Sequence, residues 1–329
     1  MADIVCFGEL VADMSSPDIG VSLERAYTFE KNAGGAPANV AAGCAGMGAS
    51  AALIAKVGAD SFGRYLTGVL RDVDVDVSGI ITSADYSTQL AFVAIGRAGV
   101  PDFEFHVKQP AHEQIRPEEI SRKLIEAGLF FHFGSLTLVN EPARSATMAA
   151  LEIASEAGLT ISFDPNYRPA LWPDEDAAYN AIIEVIDWCD VLKVNENEMK
   201  LLTGTDDAYN GLRALWDMGP ELVAVTLGPD GCAYTAGTSV DTVDGIEVDV
   251  VDTTGCGDAF VAATLAWLSR TEDDIADLTG AQLYDLYAHA NAAGALTAAG
   301  LGAIASMPTW DEVELMLEHT STSRPEGAV

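Results

Sequence analysis

Basic residues are scarce in this chain. Its 329 residues include 17 Lys plus Arg against 50 Asp plus Glu, a formal net charge of −33. Nucleic acid, anionic membranes and other polyanions are held by basic patches, so they are excluded as main partners. The carboxylates are spread along the chain rather than gathered in one tail. Either an ordinary acidic cytoplasmic enzyme or a protein adapted to high salt, where screening relieves self-repulsion, would carry such a charge; the second is the expectation adopted. Cysteine is also sparse: Cys6, Cys44, Cys189, Cys232 and Cys256 show no Cys-x-x-Cys spacing. Their odd number fits reduced cytoplasmic thiols rather than a disulfide framework. The five His residues lack ligand spacing, and His106 reads as part of a strand. Finally, no run of about 18 uncharged apolar residues occurs, and Asp3 and Glu9 interrupt the first apolar stretch, so neither a membrane span nor an export signal is expected.

What the chain does have is a regular series of short apolar runs: Ile4–Phe7, Ala52–Val57, Leu129–Phe133, Leu159–Phe163, Val191–Val194 and Leu222–Leu227. Several are apolar on both faces, as buried parallel strands are. Helical patterns lie between them, such as the one after Pro142 with Ala146, Ala150, Ile153 and Ala157 on one face and Gly158 as its stop. Strand–helix alternation predicts an α/β fold, a mostly parallel sheet with helices on both faces. Two stretches break the pattern. One is Ser15–Lys31. The other is Gln89–Gly96 followed, after a loop at Arg97–Asp102, by the alternating Phe103–Val107, which reads as a hairpin. Paired, these excursions would make a small β-lid over the strand ends, where α/β proteins bind ligands. The expected division is a core of residues 1–14, 33–80 and 110–329 with a lid of 15–32 and 81–109, and a frayed tail from Thr320.

Residues 252–258 read Asp-Thr-Thr-Gly-Cys-Gly-Asp and lead into a helix with Val261, Leu265 and Leu268 on one face. Two glycines let the backbone turn so that its N–H groups converge, and a helix starts there. Such a nest is an anion site. Asp258 stands at its lip. A carboxylate is a poor device for gripping phosphate, but it can take a proton from a hydroxyl while the N–H groups hold the phosphoryl under attack. A plain Gly-rich turn with an acidic helix start is the other reading. A second glycine motif, Gly34-Gly35-Ala36-Pro37-Ala38-Asn39, opens a helix of small residues from which Asn39 can reach a polar ligand. Asp13, past the first strand, offers acceptors for a pair of sugar hydroxyls.

Together these segments resemble the ribokinase-like, or PfkB, carbohydrate kinases. Gly34–Asn39 is similar to the family's N-terminal signature and Asp252–Phe260 to its C-terminal one. Lys193-x-Asn195-x-x-Glu198 and Thr226-x-Gly228-x-x-Gly231 resemble two further motifs in the expected order, and the likeness spans roughly residues 3 to 310. The resemblance implies a ribokinase-like α/β core with a β-lid that transfers the γ-phosphoryl of ATP to a sugar hydroxyl with Mg²⁺. It implies Asp258 as the base, with Gly255, Cys256 and Gly257 as the anion hole. Asn195 and Glu198 would organise Mg²⁺ through water. Lys193, Asn195, Thr226, Gly228, Gly231, Gly255, Gly257 and Asn291 would line the nucleotide. Asp252 with the turn at 300–303 resembles a monovalent-cation site, for K⁺. A homodimer joined through the lid also fits. The chain departs from the pattern at Cys256, where Ala is usual, and at Ala263, where Gly is frequent.

For the acceptor, Ala36 and Pro37 stand where kinases of phosphosugars commonly place a Lys, so an unphosphorylated sugar is expected. The stretch Phe163–Trp172 resembles both fructokinases and 2-keto-3-deoxygluconate kinases. Phe133–Leu136 with Asn140–Ser145 leans toward fructokinase, with ribokinase and nucleoside kinase as remoter alternatives. Asp13, Gly34, Gly35, Asn39, Arg97, Phe105, Arg168 and Asp258 are the expected sugar contacts. Arg168, planar and permanently charged, could steady the migrating phosphoryl, clasp a substrate carboxylate or form a structural ion pair. A sugar-binding regulator without activity is the reading from another class; it would be marked by loss of Asp258 or a neighbouring glycine.

Overall fold

The computed structural model describes residues 2–18, 20–95, 101–237 and 239–322. The chain opens with β1 (Ile4–Phe7), sends out β2 (Val11–Ser15) and β3 (Glu30–Gly34), then forms α1 (Ala36–Gly46) and β4 (Ala51–Gly58). After α2 (Ser61–Asp72) come β5 (Ile80–Ser83) and a second outward pair, β6 (Leu90–Ile95) and β7 (Pro101–Phe105). Alternation then resumes with α3 (Arg122–Ile125), β8 (Phe130–Gly134), α4 (Ala143–Glu156), β9 (Thr160–Asp164), α5 (Glu175–Ile186) and β10 (Val191–Asn195). Next follow α6 (Glu196–Thr203), α7 (Ala208–Trp216), β11 (Leu222–Thr226) and the hairpin β12 (Gly231–Thr235) and β13 (Asp241–Asp244). The chain ends in α8 (Cys256–Leu268), α9 (Gly280–Ala298) and α10 (Trp310–Thr322).

Nine strands make one sheet in the order β13-β12-β11-β10-β9-β8-β1-β4-β5. The six apolar runs are its contiguous middle, all parallel, and only β12 runs against them, pairing antiparallel with β11 and with the edge strand β13. Side chains alternate across a strand, so each run feeds two cores. Ile4 and Cys6 join a core under α1, α8 and α9, whereas Val5 and Phe7 join the core under α4, α5, α6 and α7. This two-sided burial explains why the strands are apolar throughout, and it confirms the predicted α/β class.

Three local expectations are corrected. The spacing of Val261, Leu265 and Leu268 predicts an amphipathic helix, but α8 is buried on almost every side from Asp258 to Leu268, because α1 and α9 flank it. Ala157 caps α4 and is exposed, so the packed face of that helix ends at Ala154. Residues 320–322, placed in a frayed tail, continue α10.

A second, four-stranded sheet has the order β3-β2-β6-β7. β2 pairs with β3 and β6, so residues 11–14, grouped with the core on sequence grounds, belong by pairing to this smaller sheet. Its register places Asn32, Asp13, Ala91 and Phe105 in one row, hence on one face. The next row holds Lys31, Met14 and Phe92 on the opposite face, where Phe92 meets Phe29 and His106 edge-on at 5.1 and 4.8 Å. Lys31 Nζ lies 3.5 Å from the Tyr65 ring centroid, tying this sheet to α2. The β6–β7 turn, including Arg97, lies outside the described residues.

Candidate active site

In a parallel sheet all strands end on the same edge, and ligands bind in the crevice there. The site residues follow that rule. Asp164 ends β9, Asn195 ends β10, Thr226 ends β11, and Glu9 follows β1 by two residues. Above these ends lies the start of α8. Gly255 is its N-cap with φ +84°, a left-handed conformation open to glycine at little cost. A Cβ there would also come 2.7 Å from Ala303 Cβ. The first helical bond runs from Ala259 N–H to Gly255 C=O. The N–H groups of Cys256, Gly257 and Asp258 precede it at the positive end of the helix dipole, one residue along from the set at Gly255, Cys256 and Gly257 expected from the sequence, and Cys256 N–H also reaches Thr253 C=O at 3.4 Å.

Asp258 is 8% exposed and turns inward, where Asn39 Nδ2 donates to its Oδ2 at 2.7 Å. Its pKa is raised to about 7, chiefly by burial. The Asn39 hydrogen bond opposes that rise, Asp164 adds to it, and Lys193 and Arg168 offset part of it. A carboxyl near neutrality can both hold and release a proton at ordinary pH.

On one side of Asp258 lies a cluster rich in carboxylates. Asp13 has its pKa raised to about 7 by burial, helped by Asp252 and Glu9 and opposed by Arg168. It lies so close to Gly34 that any Cβ there would overlap its carboxylate. Gly35 is the N-cap of α1 at φ +108°, and Asn39 rises from the first turn after it. Glu9, which sequence reasoning passed over, is 6% exposed; its Oε1 accepts Ala36 N–H at 2.8 Å. Burial raises the Glu9 pKa as well. Two buried acceptors here, Glu9 Oε2 and Asn39 Oδ1, have no hydrogen-bond partner among the described residues. Arg168 is exposed, has no carboxylate within 4 Å among the described residues, and acts electrostatically on Glu9, Asp13 and Asp258. The structural ion pair is therefore absent among the described residues, where the guanidinium reaches only the Asn166 and Tyr167 carbonyls at 3.4 Å. Phe105 shares the Asp13 face of the small sheet.

On the other side opens a cleft of about 610 Å³ bordered by Thr226, Gly228, Gly231, Cys256, Gly257 and Asn291. Its walls include a stretch with no motif, Gly245–Val248 and Val250. The apolar residues there alternate at 246, 248 and 250, and Val250 is 64% exposed, a signal that the sequence carried and that was read as nothing. Asn291 Nδ2 donates to Val243 C=O at 3.1 Å, so it also fastens α9 to β13. Lys193 does not border this cleft; its ammonium is buried beneath Gly257.

Asn195 and Glu198 form a capping box at the start of α6. Asn195 Oδ1 accepts Glu198 N–H at 3.0 Å, and Glu198 Oε2 accepts Asn195 N–H at 2.8 Å. Glu198 Oε1 takes Tyr167 N–H at 2.7 Å, holding the loop that presents Arg168. Burial raises the Glu198 pKa, with Asp164 adding to it and Lys193 opposing. Each Glu198 oxygen keeps a lone pair, but no group of three His, Cys, Asp or Glu among the described residues could hold a metal. The open lone pairs of Glu198 are hard oxygen acceptors of the kind that Mg²⁺ or its bound waters take. Asp252 accepts Thr254 N–H and Oγ1–H through Oδ1 and Gly302 N–H through Oδ2, closing the 252–255 turn onto the 300–303 turn. Burial, then Asp252 and Asp258, push the Cys256 thiol up to about 11, so it stays protonated.

The nine-stranded sheet, the smaller sheet and a buried carboxyl at a helix N-terminus are those of the ribokinase-like class of α/β kinases. A profile of the pfkB family carbohydrate kinases matches residues 1–310, and the chain belongs to that family. Fructokinase-1 of Oryza sativa subsp. japonica is 42% identical over 316 residues, covering 96% of this chain and 97% of that one. Among solved structures, Xylella fastidiosa fructokinase with bound ATP is 29% identical, with a TM-score of 0.87 over 98% of this chain and 100% of its own. A double mutant of Vibrio cholerae O395 fructokinase with fructose, ADP and potassium is 32% identical, with a TM-score of 0.86 over 96% and 98%. No helix among the described residues is long and apolar enough to cross a membrane.

Proposed function

We propose that the protein transfers the γ-phosphoryl group of ATP to a hydroxyl of fructose. The observation that carries this reading is the position of Asp258. It is held from the glycine motif by Asn39 at 2.7 Å, next in sequence to Gly257 on the border of the large cleft. The triphosphate fits that cleft with its γ-phosphoryl at the N–H groups of residues 256–258. The sugar fits the side of Asp13, Glu9 and Asn39, where Glu9 Oε2 and Asn39 Oδ1 need donors. Sugar hydroxyls supply them, and buried acceptors without partners are costly enough to favour such a ligand.

In the transfer, Asp258 accepts the hydroxyl proton as the oxygen bonds to the γ-phosphorus. The bond from that phosphorus to the β-γ bridging oxygen breaks, and ADP leaves. The N–H cradle and Arg168 meet charge on the transferred group, and Phe105 with the smaller sheet excludes water. Mg²⁺, held through water by Asn195 and Glu198, would neutralise the phosphates when bound. A monovalent cation beside Asp252, where two turns meet, and pairing of two copies through the smaller sheet remain parts of the reading. Five free thiols fit a reducing compartment such as the cytoplasm.

The unpaired guanidinium of Arg168 favours one rival acceptor, 2-keto-3-deoxygluconate, whose carboxylate it could clasp. Glu9, Asp13 and Asp258 weigh against it, since they would repel a second anion. The assay is ADP release with fructose, 2-keto-3-deoxygluconate, ribose and a nucleoside. Fructose is expected to give the highest kcat/KM, by about tenfold or more. A preference for the keto acid overturns the acceptor, and silence with every acceptor in low and high KCl overturns the kinase reading.

A further inference from the structure

Lys193 stands in β10 two residues before its end and is 8% exposed. Its Nζ donates to Asp164 Oδ2 at 2.9 Å, while Asp164 Oδ1 accepts Asn166 N–H at 3.1 Å in the loop leading to Arg168. A Cβ on Gly257 would come within 2.9 Å of that Nζ. Adding one C–C bond puts the ammonium within about 4.5 Å of Gly257 Cα. It therefore sits behind the cradle, under the backbone whose front borders the cleft.

The titratable groups acting on it come from four elements, Asp164 from β9, Glu198 from α6, Asp258 from α8 and His132 from β8, while its partner on β11 is Ala224. Burial holds His132 neutral, with a pKa of about 4. Burial also pulls the Lys193 ammonium down, but Asp164, Glu198 and Asp258 outweigh it and keep the group charged. Asp258 itself faces Asn39, Asp164, Lys193 and Arg168. Asp164 thus pairs with the cation directly, while Glu198 and Asp258, also less than a tenth exposed, act on it electrostatically. One partner would suffice to make a structural pair, and burying ions costs several kcal/mol apiece without close pairing. The surplus of acid around this lysine, directly beneath the cradle, points to use in the reaction.

We propose that Lys193 is a positioning residue for phosphoryl transfer: clamped by Asp164, it fixes a positive charge behind the N–H cradle and favours the base form of Asp258. The proposal rests on the reading of Asp258 given above. It goes further in making a buried pair, remote from the substrate, responsible for the balance of charge at the reacting centre.

The test uses Lys193→Met, Asp164→Asn and the double variant, with kcat and kcat/KM followed from pH 5 to 9. Losing the cation moves the acid limb of kcat/KM upward by about one unit from about 7, so Lys193→Met loses about tenfold at pH 6 and only about twofold at pH 8 through that shift. Losing the anion moves the limb downward in Asp164→Asn, and the double variant returns toward the parent. Limbs that stay in place while all variants slow alike would show a merely structural pair and overturn the proposal. Should Lys193→Met fail to fold, the downward shift in Asp164→Asn, or its absence, decides. Carboxyl-¹³C titration, with Asp258 assigned through its loss in Asp258→Asn, reads the same opposite shifts without turnover. Opposite shifts in a parent that phosphorylates nothing would sink the kinase reading but leave the charge balance standing.

Discussion

Replacing Asp258 by Asn tests the chemistry and the electrostatics in one protein. The amide keeps the size of the carboxyl and can still accept the Asn39 hydrogen bond of 2.7 Å, so the change is chiefly the loss of an ionisable base. ADP release with the preferred sugar should fall by two to four decades, about what removing a general base costs, while ATP binding followed by calorimetry is retained. Stability should move the other way. The folded pKa is about 7 against an ordinary aspartate value of 3.8, so the native protein holds a proton that the unfolded chain releases. Below pH 4 both states are protonated and nothing is lost. Between there and pH 7 the unfolded state gains, and the parent loses about 4 kcal/mol, some three units at 1.36 kcal/mol each. The Asn variant has no proton to hold. Its melting temperature should match the parent near pH 4 and exceed it by several degrees at pH 8. An Asn variant that turns over normally, or one that melts with the parent at every pH, refutes the reasoning.

Two further outcomes follow from the packing and the charge. Gly34→Ala drives a methyl into the Asp13 carboxylate, so it should raise the sugar KM by tenfold or more, about 1.4 kcal/mol, and leave the ATP KM unchanged. Equal losses for both substrates would remove Asp13 from the sugar site. With a net charge of −33, the melting temperature should climb steeply between dilute buffer and molar KCl as self-repulsion is screened; equal values would remove the high-salt reading.

Most of the architecture was legible because a buried parallel strand must be apolar on both faces. Ile4–Phe7 and Val191–Val194 show that pattern without any tertiary information, and the six runs became six adjacent strands. The glycine motifs were legible for a similar reason: Gly255 needs a positive φ and Gly34 needs room against Asp13, demands that a sequence records as glycine itself. The hidden parts are those whose meaning depends on partners distant in the chain. Nothing near Glu9 says that it will accept the Ala36 N–H across 27 positions. Nor does Lys193 announce Asp164, 29 positions earlier, as its partner. The capping box at Asn195 and Glu198 is local and readable, yet its second duty, holding Tyr167 N–H, is not.

The same contrast explains how one site can carry so many acids. Asp13, Glu9, Asp164, Glu198 and Asp258 all lie at the carboxyl edge of the sheet, and in water each would be ionised near pH 4. Burial raises the pKa of Asp13, Glu9, Glu198 and Asp258, so these four do not all carry full charge at neutrality. Charge can therefore be drawn out one group at a time as cationic or hydrogen-bonding ligands arrive. Asp258 differs from the rest in combining a side-chain donor, Asn39, with the fields of both Lys193 and Arg168 and a place in the first turn of α8. A carboxyl placed so is the one whose proton affinity the arriving phosphates and sugar most directly change. It is the group through which binding of both substrates becomes transfer between them.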